Sequence, residues 1–161
     1  MQLTRNISFE EMTLTGHRKY LEKNRVEGER LIGTLKATAQ MLQRVRNNWD
    51  KPLIIHSGLR CKALNRVIGG SKLSQHCKGE AADFHIIGVE HKEVFEWIWK
   101  ESGLKFGQLI LEGFVADKPS WIHLSLGSPF RSASKSGQVM TWSKSEGYKV
   151  LDRGVNHPTT S

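Results

Sequence analysis

The sequence predicts an α+β fold, and three observations favour it. One long segment has helical periodicity, several short segments are apolar and rich in β-branched residues, and helical and strand segments alternate along the chain. The length of 161 residues and the apolar content of 38% are enough for one hydrophobic core. We therefore assign residues 1–161 to a single domain.

The first predicted element is a helix over residues 25–49. Its apolar residues recur at intervals of three, four and seven, which is the spacing of one buried face; they are Leu31, Leu35, Leu42, Val45 and Trp49. Asn24, followed by Glu27, is predicted to be the N-cap. The helix is expected to stop at residues 50–52, which end in a proline.

The remaining elements are short segments separated by glycine, serine or proline. Two predicted helices are "CKALNRVIGG" and "EHKEVFEWIWKES", the first ended by the glycine pair at 69–70 and the second by Gly103. The predicted strands are "PLIIHSG", "AADFHII", "QLILEG", "WIHLSL", "QVMTWS" and "YKVLD". The last residues of the chain are expected to fray.

The charge balance indicates which partners the surface attracts. The chain carries 24 Lys+Arg against 16 Asp+Glu, a formal charge of +8, which favours anionic polymers such as those of a cell wall. The basic residues are scattered rather than in runs, and no nucleic-acid recognition motif is present. The charge therefore attracts polyanions, either nucleic acid or an anionic wall polymer such as teichoic acid, without naming one, and no motif supports a nucleic acid, so none is expected.

Targeting signals and cysteines point to an ordinary cytosolic product. The first residues lack the apolar core of a signal peptide, and no stretch approaches the ~18 apolar residues of a membrane span. We expect synthesis in the cytoplasm, no membrane insertion and a monomer. The two cysteines, Cys61 and Cys77, are too few for a disulfide scaffold and are expected to be small reduced thiols.

The segment "SQHCKGEAADFH" suggests metal chemistry. Zinc hydrolases use three protein ligands, drawn from His, Asp, Glu or Cys, and leave a fourth position for water. His76 and Asp83 could supply two ligands, and His123, placed mid-strand between apolar neighbours, could supply the third. The residues at 79, 81 and 82 are small, which lets the chain turn from loop to strand and bring Asp83 back towards His76.

Spacing alone leaves other ligand sets open. Because side chains alternate along a strand, His85 lies on the same face as Asp83 and could be the second ligand or the partner of a ligand. His56, in "IIHSGLR", is a further competitor. A histidine in a strand is also more often a hydrogen-bonded core or surface residue than a ligand.

The motifs together resemble a known family. "IIHSGLRCKALNRVIGGSKLSQHCKGEAADFH" followed by "WIHLSL" is similar to the zinc D-Ala-D-Ala carboxypeptidases, peptidase family M15, in the branch common among phage cell-wall hydrolases. The resemblance covers about residues 8–126 and leaves 127–161 as a carboxy-terminal extension. It implies a small antiparallel sheet that carries a zinc site and is flanked by helices, as in the related hedgehog domain.

The resemblance also implies roles for individual residues. It places Zn²⁺ on His76, Asp83 and His123, and assigns Arg60 to a carboxylate of the substrate. A guanidinium binds a carboxylate through two hydrogen bonds, and peptidoglycan peptides contain several carboxylates. Ser74 either hydrogen-bonds the substrate or caps the loop around His76.

The sequence departs from the better-known members at the general base. They place an acidic residue three positions before the last histidine, whereas this chain has Ser120, and a serine hydroxyl cannot act as a base at neutral pH. Two acids could replace it. Glu112, at the end of the strand "QLILE", is favoured because that strand is expected to pair with "WIHLSL"; Asp117 is the alternative.

The resemblance implies a zinc metallopeptidase that acts on peptidoglycan peptides. A lytic role requires breaking the network, so we expect an endopeptidase of the endolysin kind, released to the wall during phage lysis. A D-Ala-D-Ala carboxypeptidase is the close alternative. The missing acid also leaves open a zinc-containing module that binds the wall without catalysis.

Overall fold

A computed structural model describes residues 1–114, 118–127 and 136–154. By its internal contacts the chain divides into two compact units, residues 1–87 and residues 88–161. The assignment to a single domain stays a prediction. The expected fraying of the carboxy terminus falls on residues 155–161, which lie outside the described residues.

The first unit contains four helices and two strands. In chain order they are α1 (Phe9–Thr13), α2 (Leu21–Arg30), α3 (Ile32–Trp49), β1 (Leu53–Ser57), α4 (Lys62–Val67) and β2 (Ala81–Ile86). Short 3₁₀ helices cover Arg18–Tyr20 and Gln75–Lys78. The predicted positions of β1, α4 and β2 are confirmed within a few residues.

Helix α1 was not anticipated, although its start carries a local signal. The hydroxyl of Ser8 accepts a hydrogen bond from the backbone nitrogen of Glu11, and the Glu11 carboxylate accepts one from the backbone nitrogen of Ser8. This reciprocal capping box satisfies amide groups that the first turn leaves unpaired. It lets a helix of only 5 residues form and bury Met12 completely.

The predicted helix over 25–49 is two helices. Helix α2 begins at Leu21, ends at Arg30, and is separated from α3 by Leu31 alone. Asn24 is therefore not an N-cap: it lies inside α2 and its side chain is fully buried. The predicted end is confirmed, because α3 ends at Trp49 and Asp50 caps it in the left-handed conformation, with φ of 49°.

The two strands of the first unit pair antiparallel and contain one irregularity. Ile54 lies opposite His85 and Ser57 lies opposite Asp83, so that the pair of residues 56 and 57 on β1 faces a single residue on β2. Such a bulge bends the strand and re-aims its side chains. Of the small residues that precede Asp83, Gly79 forms the expected turn, with φ of 71°, and the two alanines begin β2.

The second unit contains one helix and four strands. They are α5 (His91–Lys100), β3 (Phe106–Phe114), β4 (Trp121–Leu126), β5 (Gln138–Ser143) and β6 (Gly147–Asp152). The apolar face of α5 is buried through Val94, Phe95 and Ile98. All five elements were predicted from the sequence.

The expectation of a small antiparallel sheet is wrong. In the second unit the strand order is β4-β3-β5-β6, and β3 pairs antiparallel with β4 but parallel with β5. The chain is α+β, with an antiparallel strand pair in the first unit and a four-strand mixed sheet in the second. Residues 128–135, which connect β4 to β5, lie outside the described residues.

Every helix in the described part of the chain is too short or too polar to cross a lipid bilayer.

Candidate metal centre

His76 is held in one orientation by a backbone carbonyl. It lies in the 3₁₀ helix after Ser74, and its Nδ1 is 2.8 Å from the oxygen of Gly58. A carbonyl only accepts hydrogen bonds, so Nδ1 carries a proton and the lone pair of a neutral ring stays on Nε2. Nε2 lies 3.3 Å from Oδ1 of Asp83.

The His76–Asp83 pair is arranged for a cation. Both residues are buried, with 4% and 6% of their surface exposed, and burying a carboxylate is costly unless an opposite charge is near. An imidazole lone pair that faces a carboxylate oxygen needs a proton or a metal ion between them. In a tetrahedral zinc site with bonds of about 2.0–2.1 Å, neighbouring ligand atoms are ~3.3 Å apart, which matches the observed distance.

His123 lies in the middle of β4 beside an acidic side chain of the neighbouring strand. Its backbone pairs with Ile110 on β3, and Glu112, two residues further along β3, is on the same face. Nδ1 of His123 is 4.0 Å from Oε1 of Glu112. Both side chains are largely withdrawn from water, with 9% and 17% exposure.

The residues predicted as metal ligands form a group. Within the described residues, one set of His, Cys, Asp and Glu side chains could hold a metal ion: His76, Asp83 and His123, whose ligand atoms lie within 4.8 Å of one another. Two imidazoles and one carboxylate are a donor set suited to zinc. His85 is outside this set; it contacts His56 instead, at 2.7 Å between ring nitrogens.

Comparison with known proteins gives the family. The family model described as Peptidase M15 matches residues 6–125 of this chain. The chain belongs to the peptidase M15 family. No curated protein matches it. The resemblance over residues 8–126 is thereby confirmed, while the phage-type branch stays a prediction. M15 peptidases are zinc-dependent metallopeptidases, and the three buried side chains of this member could hold that ion.

Arg60, predicted to bind a substrate carboxylate, lies in the first unit beside the His76–Asp83 pair. Its backbone nitrogen donates to the oxygen of His76 at 3.1 Å, and its guanidinium donates to Asn65 Oδ1 at 3.1 Å. A longer contact of 3.5 Å joins it to the hydroxyl of Ser57, which lies opposite Asp83. The guanidinium is only half-buried, so solvent and ligands can reach it.

The turn after α4 requires the glycines that the sequence placed there. A side chain at Gly70 would put its Cβ 2.0 Å from Oδ1 of Asn65, the atom that Arg60 contacts. Gly69 has φ of 73°, a conformation that glycine adopts without strain. Asn65 completes the turn by donating to the oxygen of Ser71 at 2.8 Å. The prediction that the glycine pair ends this helix is confirmed.

Asn24 is a site residue that sequence reasoning missed. Its amide nitrogen donates to the oxygens of Thr13 and Leu59 at 3.1 and 3.2 Å, and its oxygen accepts from the backbone nitrogen of Cys61 at 2.9 Å. The contacts with Leu59 and Cys61 fix the backbone on either side of Arg60. The sequence did carry a signal, an uncharged polar residue within an amphipathic helix, but the capping pattern Asn24–Glu27 explained it differently.

Ser74 lies at the amino end of the 3₁₀ helix that carries His76. Its backbone nitrogen donates to the oxygen of Ser71 at 3.0 Å. Among the described residues its side chain makes no capping hydrogen bond to this helix. The capping alternative is therefore not observed, and contact with substrate stays a prediction.

Ser120 has a structural contact in place of a catalytic one. Its hydroxyl donates to the oxygen of Gly113, and its backbone nitrogen donates to the oxygen of Glu112 at 3.0 Å. Gly113 has φ of 79°, and a Cβ there would be 2.6 Å from the Cβ of Ser120. These contacts join the carboxy-terminal end of β3 to the residue that precedes β4. Asp117, the alternative base, lies outside the described residues.

The cysteines are the reduced thiols that the sequence predicted. Cys61 is buried, Cys77 is half-buried, and both are free. Burial raises the pKa of the Cys77 thiol above its usual value, which keeps the protonated, less reactive form at neutral pH. Neither belongs to the metal-ligand set.

Proposed function

We propose that this M15 member is a zinc-dependent endopeptidase that hydrolyses stem or cross-link peptides of peptidoglycan. The observation that carries the proposal is the family match over residues 6–125, which includes a buried His, Asp and His that could hold a metal ion. Membership supports a zinc peptidase acting on peptidoglycan-type substrates, and the internal cleavage is our own proposal.

The zinc ligands in this proposal are His76, Asp83 and His123. Zinc, when bound, supplies a Lewis acid that polarises a carbonyl and lowers the pKa of water to about 7. The chain contributes orientation: the Gly58 carbonyl holds the Nδ1 proton of His76, so that Nε2 is the ligating atom. The burial of the ligands excludes bulk water and strengthens electrostatic interactions there.

We assign the general base to Glu112. Its carboxylate lies 4.0 Å from the ring of His123, which places it beside one proposed ligand. Its 17% exposure lets it accept a proton from the attacking water and deliver one to the leaving amine. The serine at position 120 is excluded as the base by its chemistry, and its hydroxyl already donates to a backbone carbonyl.

Substrate binding in the proposal rests on Arg60 and Ser74. The Arg60 guanidinium is held by Asn65 and is half-buried, which suits bidentate binding of a peptide carboxylate with little loss of side-chain entropy. Ser74, next to the segment that carries His76, can donate a hydrogen bond to the same peptide.

Mass spectrometry of muropeptides after digestion of purified peptidoglycan tests the proposal. An endopeptidase converts cross-linked dimers to monomers, or releases stems at an internal bond. Loss of one terminal alanine with the dimers intact would instead establish a D-Ala-D-Ala carboxypeptidase. Digestion with the Glu112→Gln protein is the control for contaminating hydrolases.

A wall-binding module without catalysis is the second candidate, and Ser120 in place of an acid favours it. Under this alternative the wild-type protein sediments with peptidoglycan but releases no peptide from it. Because Glu112 offers a replacement acid beside His123, we propose catalysis as the function.

The setting is also a proposal. We propose synthesis in the cytoplasm, release through a phage-made lesion, and action on the wall as a monomer. The formal charge of +8 should promote adsorption to anionic wall polymer, and such adsorption weakens with salt because exposed charges are screened. Peptidoglycan binding that is equal at 50 mM and 500 mM salt would contradict the charge-driven part.

A further inference from the structure

Two histidines outside the zinc-ligand set form a pair on the strands of the first unit. His56 lies on β1 and His85 on β2, and Nε2 of His56 is 2.7 Å from Nδ1 of His85. Their ring centroids are 4.9 Å apart and the planes are inclined by 35°. His56 is exposed and His85 is half-buried, so solutes can reach the pair.

The bulge in β1 creates this pairing. In a regular ladder residue 56 would lie opposite Asp83, because Ile54 lies opposite His85 and each step forward on one antiparallel strand is matched by one step back on the other. The extra residue places Ser57 opposite Asp83 instead. His56 is thus the added residue, and a bulge of this kind commonly re-aims a side chain. Here the side chain is directed at His85.

The geometry of the pair is close to that of two ligands on one ion. Two imidazole nitrogens on a tetrahedral metal are ~3.3 Å apart, given metal–nitrogen bonds of about 2.0–2.1 Å. The observed 2.7 Å must therefore open by only ~0.6 Å, which small side-chain rotations provide. The donor ring transfers its proton to its other nitrogen by way of solvent, so that both facing nitrogens present a lone pair to the ion, and water completes the coordination.

We propose that His56 and His85 form a second binding site for a divalent transition-metal ion. The site is separate from the proposed zinc ligands. Imidazole ligands suit Zn²⁺, Ni²⁺ and Cu²⁺, whereas Mg²⁺ and Ca²⁺ require oxygen ligands. With two protein ligands rather than three, it binds its ion more weakly than the three-ligand set does.

Metal titration of the purified full chain tests the site. Apoprotein is titrated with Zn²⁺ in competition with a chromophoric chelator, using wild type, His56→Gln and His85→Gln, with the exposed His17→Ala as the control. Wild type and the control should bind two equivalents, one tight and one weak. Each variant of the pair should lose only the weak equivalent.

A paramagnetic probe locates the second ion directly. Addition of Ni²⁺ to protein already loaded with one Zn²⁺ should broaden the imidazole NMR signals of His56 and His85 and leave those of His17 sharp. His56→Gln alone carries the test if the half-buried His85 variant does not fold. A second equivalent that persists in His56→Gln, or Ni²⁺ broadening elsewhere only, would overturn the proposal. Loss of the tight equivalent in His123→Ala tests the separate proposal for the catalytic zinc.

Discussion

Replacement of Asn24 by alanine should destabilise the first unit strongly. The buried amide makes three hydrogen bonds, to the oxygens of Thr13 and Leu59 and from the nitrogen of Cys61. At about 1 kcal/mol of net stabilisation for each bond, their loss costs ~3 kcal/mol, and backbone groups left without water add to this. We expect a loss of about 3–5 kcal/mol, a large part of the ~5–15 kcal/mol that stabilises a typical domain.

Urea unfolding followed by circular dichroism measures this change. With an m-value of about 2 kcal/mol/M, a loss of ~3 kcal/mol lowers the unfolding midpoint by ~1.5 M. Asn47→Ala is the matched control, because Asn47 is exposed and accepts one hydrogen bond from Gln43; it should change stability by less than about 0.5 kcal/mol. A loss below 1 kcal/mol in Asn24→Ala would refute the reasoning.

An isosteric change separates the hydrogen bonds from the packing. Asn24→Asp keeps the acceptor for Cys61 but turns an oxygen towards the carbonyls of Thr13 and Leu59, which is unfavourable for the ionised form. The introduced carboxyl should therefore have a folded-state pKa above its usual value of about 3.9. The variant should be least destabilised below pH ~4 and lose further stability as the pH rises through the folded-state pKa. A destabilisation independent of pH would indicate a packing defect.

Three further predictions concern the site. Metal analysis should find one tightly bound zinc in wild type and in His85→Ala, but no tightly bound zinc in single alanine variants of the proposed ligands, His76, Asp83 and His123. Tightly bound zinc retained in one of these variants would remove that residue from the ligand set. Glu112→Gln should keep its zinc and its fold while kcat/KM falls by about 100-fold or more, whereas the kcat/KM of Ser120→Ala should stay within about tenfold of wild type. A larger loss of kcat/KM in Ser120→Ala than in Glu112→Gln would exclude Glu112 as the base. Gly113→Ala should lower the free energy of unfolding, measured by thermal unfolding, by about 2–4 kcal/mol, because of backbone strain and a clash with Ser120. The control Gly103→Ala should lower it by only about 1–2 kcal/mol, because Gly103 has positive φ but nothing within 4 Å of an added Cβ.

Sequence periodicity predicted most helices and strands because each buries one face. The three 0%-exposed residues Leu35, Leu42 and Val45 had the helical spacing that marks such a face. The same pattern could not reveal the break at Leu31, since a single non-helical residue between α2 and α3 leaves the apolar spacing almost unchanged. The parallel pairing of β3 with β5 was also missed, because strand order depends on contacts between distant segments.

The candidate metal ligands were predictable for a different reason. His76, Asp83 and His123 are chemically unusual at buried positions, and their motif has a recognisable order in the family. Asn24 was not predictable in this way, because its partners are backbone atoms of Thr13, Leu59 and Cys61, and backbone atoms leave no mark in a sequence. The preference for Glu112 over Asp117 as the base stays a proposal; the pairing of β3 with β4 on which it depends was expected from the sequence and is observed.

The amide of Asn24 recognises the loop around Arg60 without contacting any side chain in it. Its partners at positions 59 and 61 are a carbonyl and a backbone nitrogen, which every residue except proline at 61 can provide. These two hydrogen bonds therefore do not depend on which residue stands at position 60. Under the proposed role of Arg60, exchange of its side chain would change which end group of a peptide is accepted. It would remove the contact with Asn65 but leave the backbone bonds of Asn24 in place, so this position is a natural place for substrate preference to diverge, in evolution or by design.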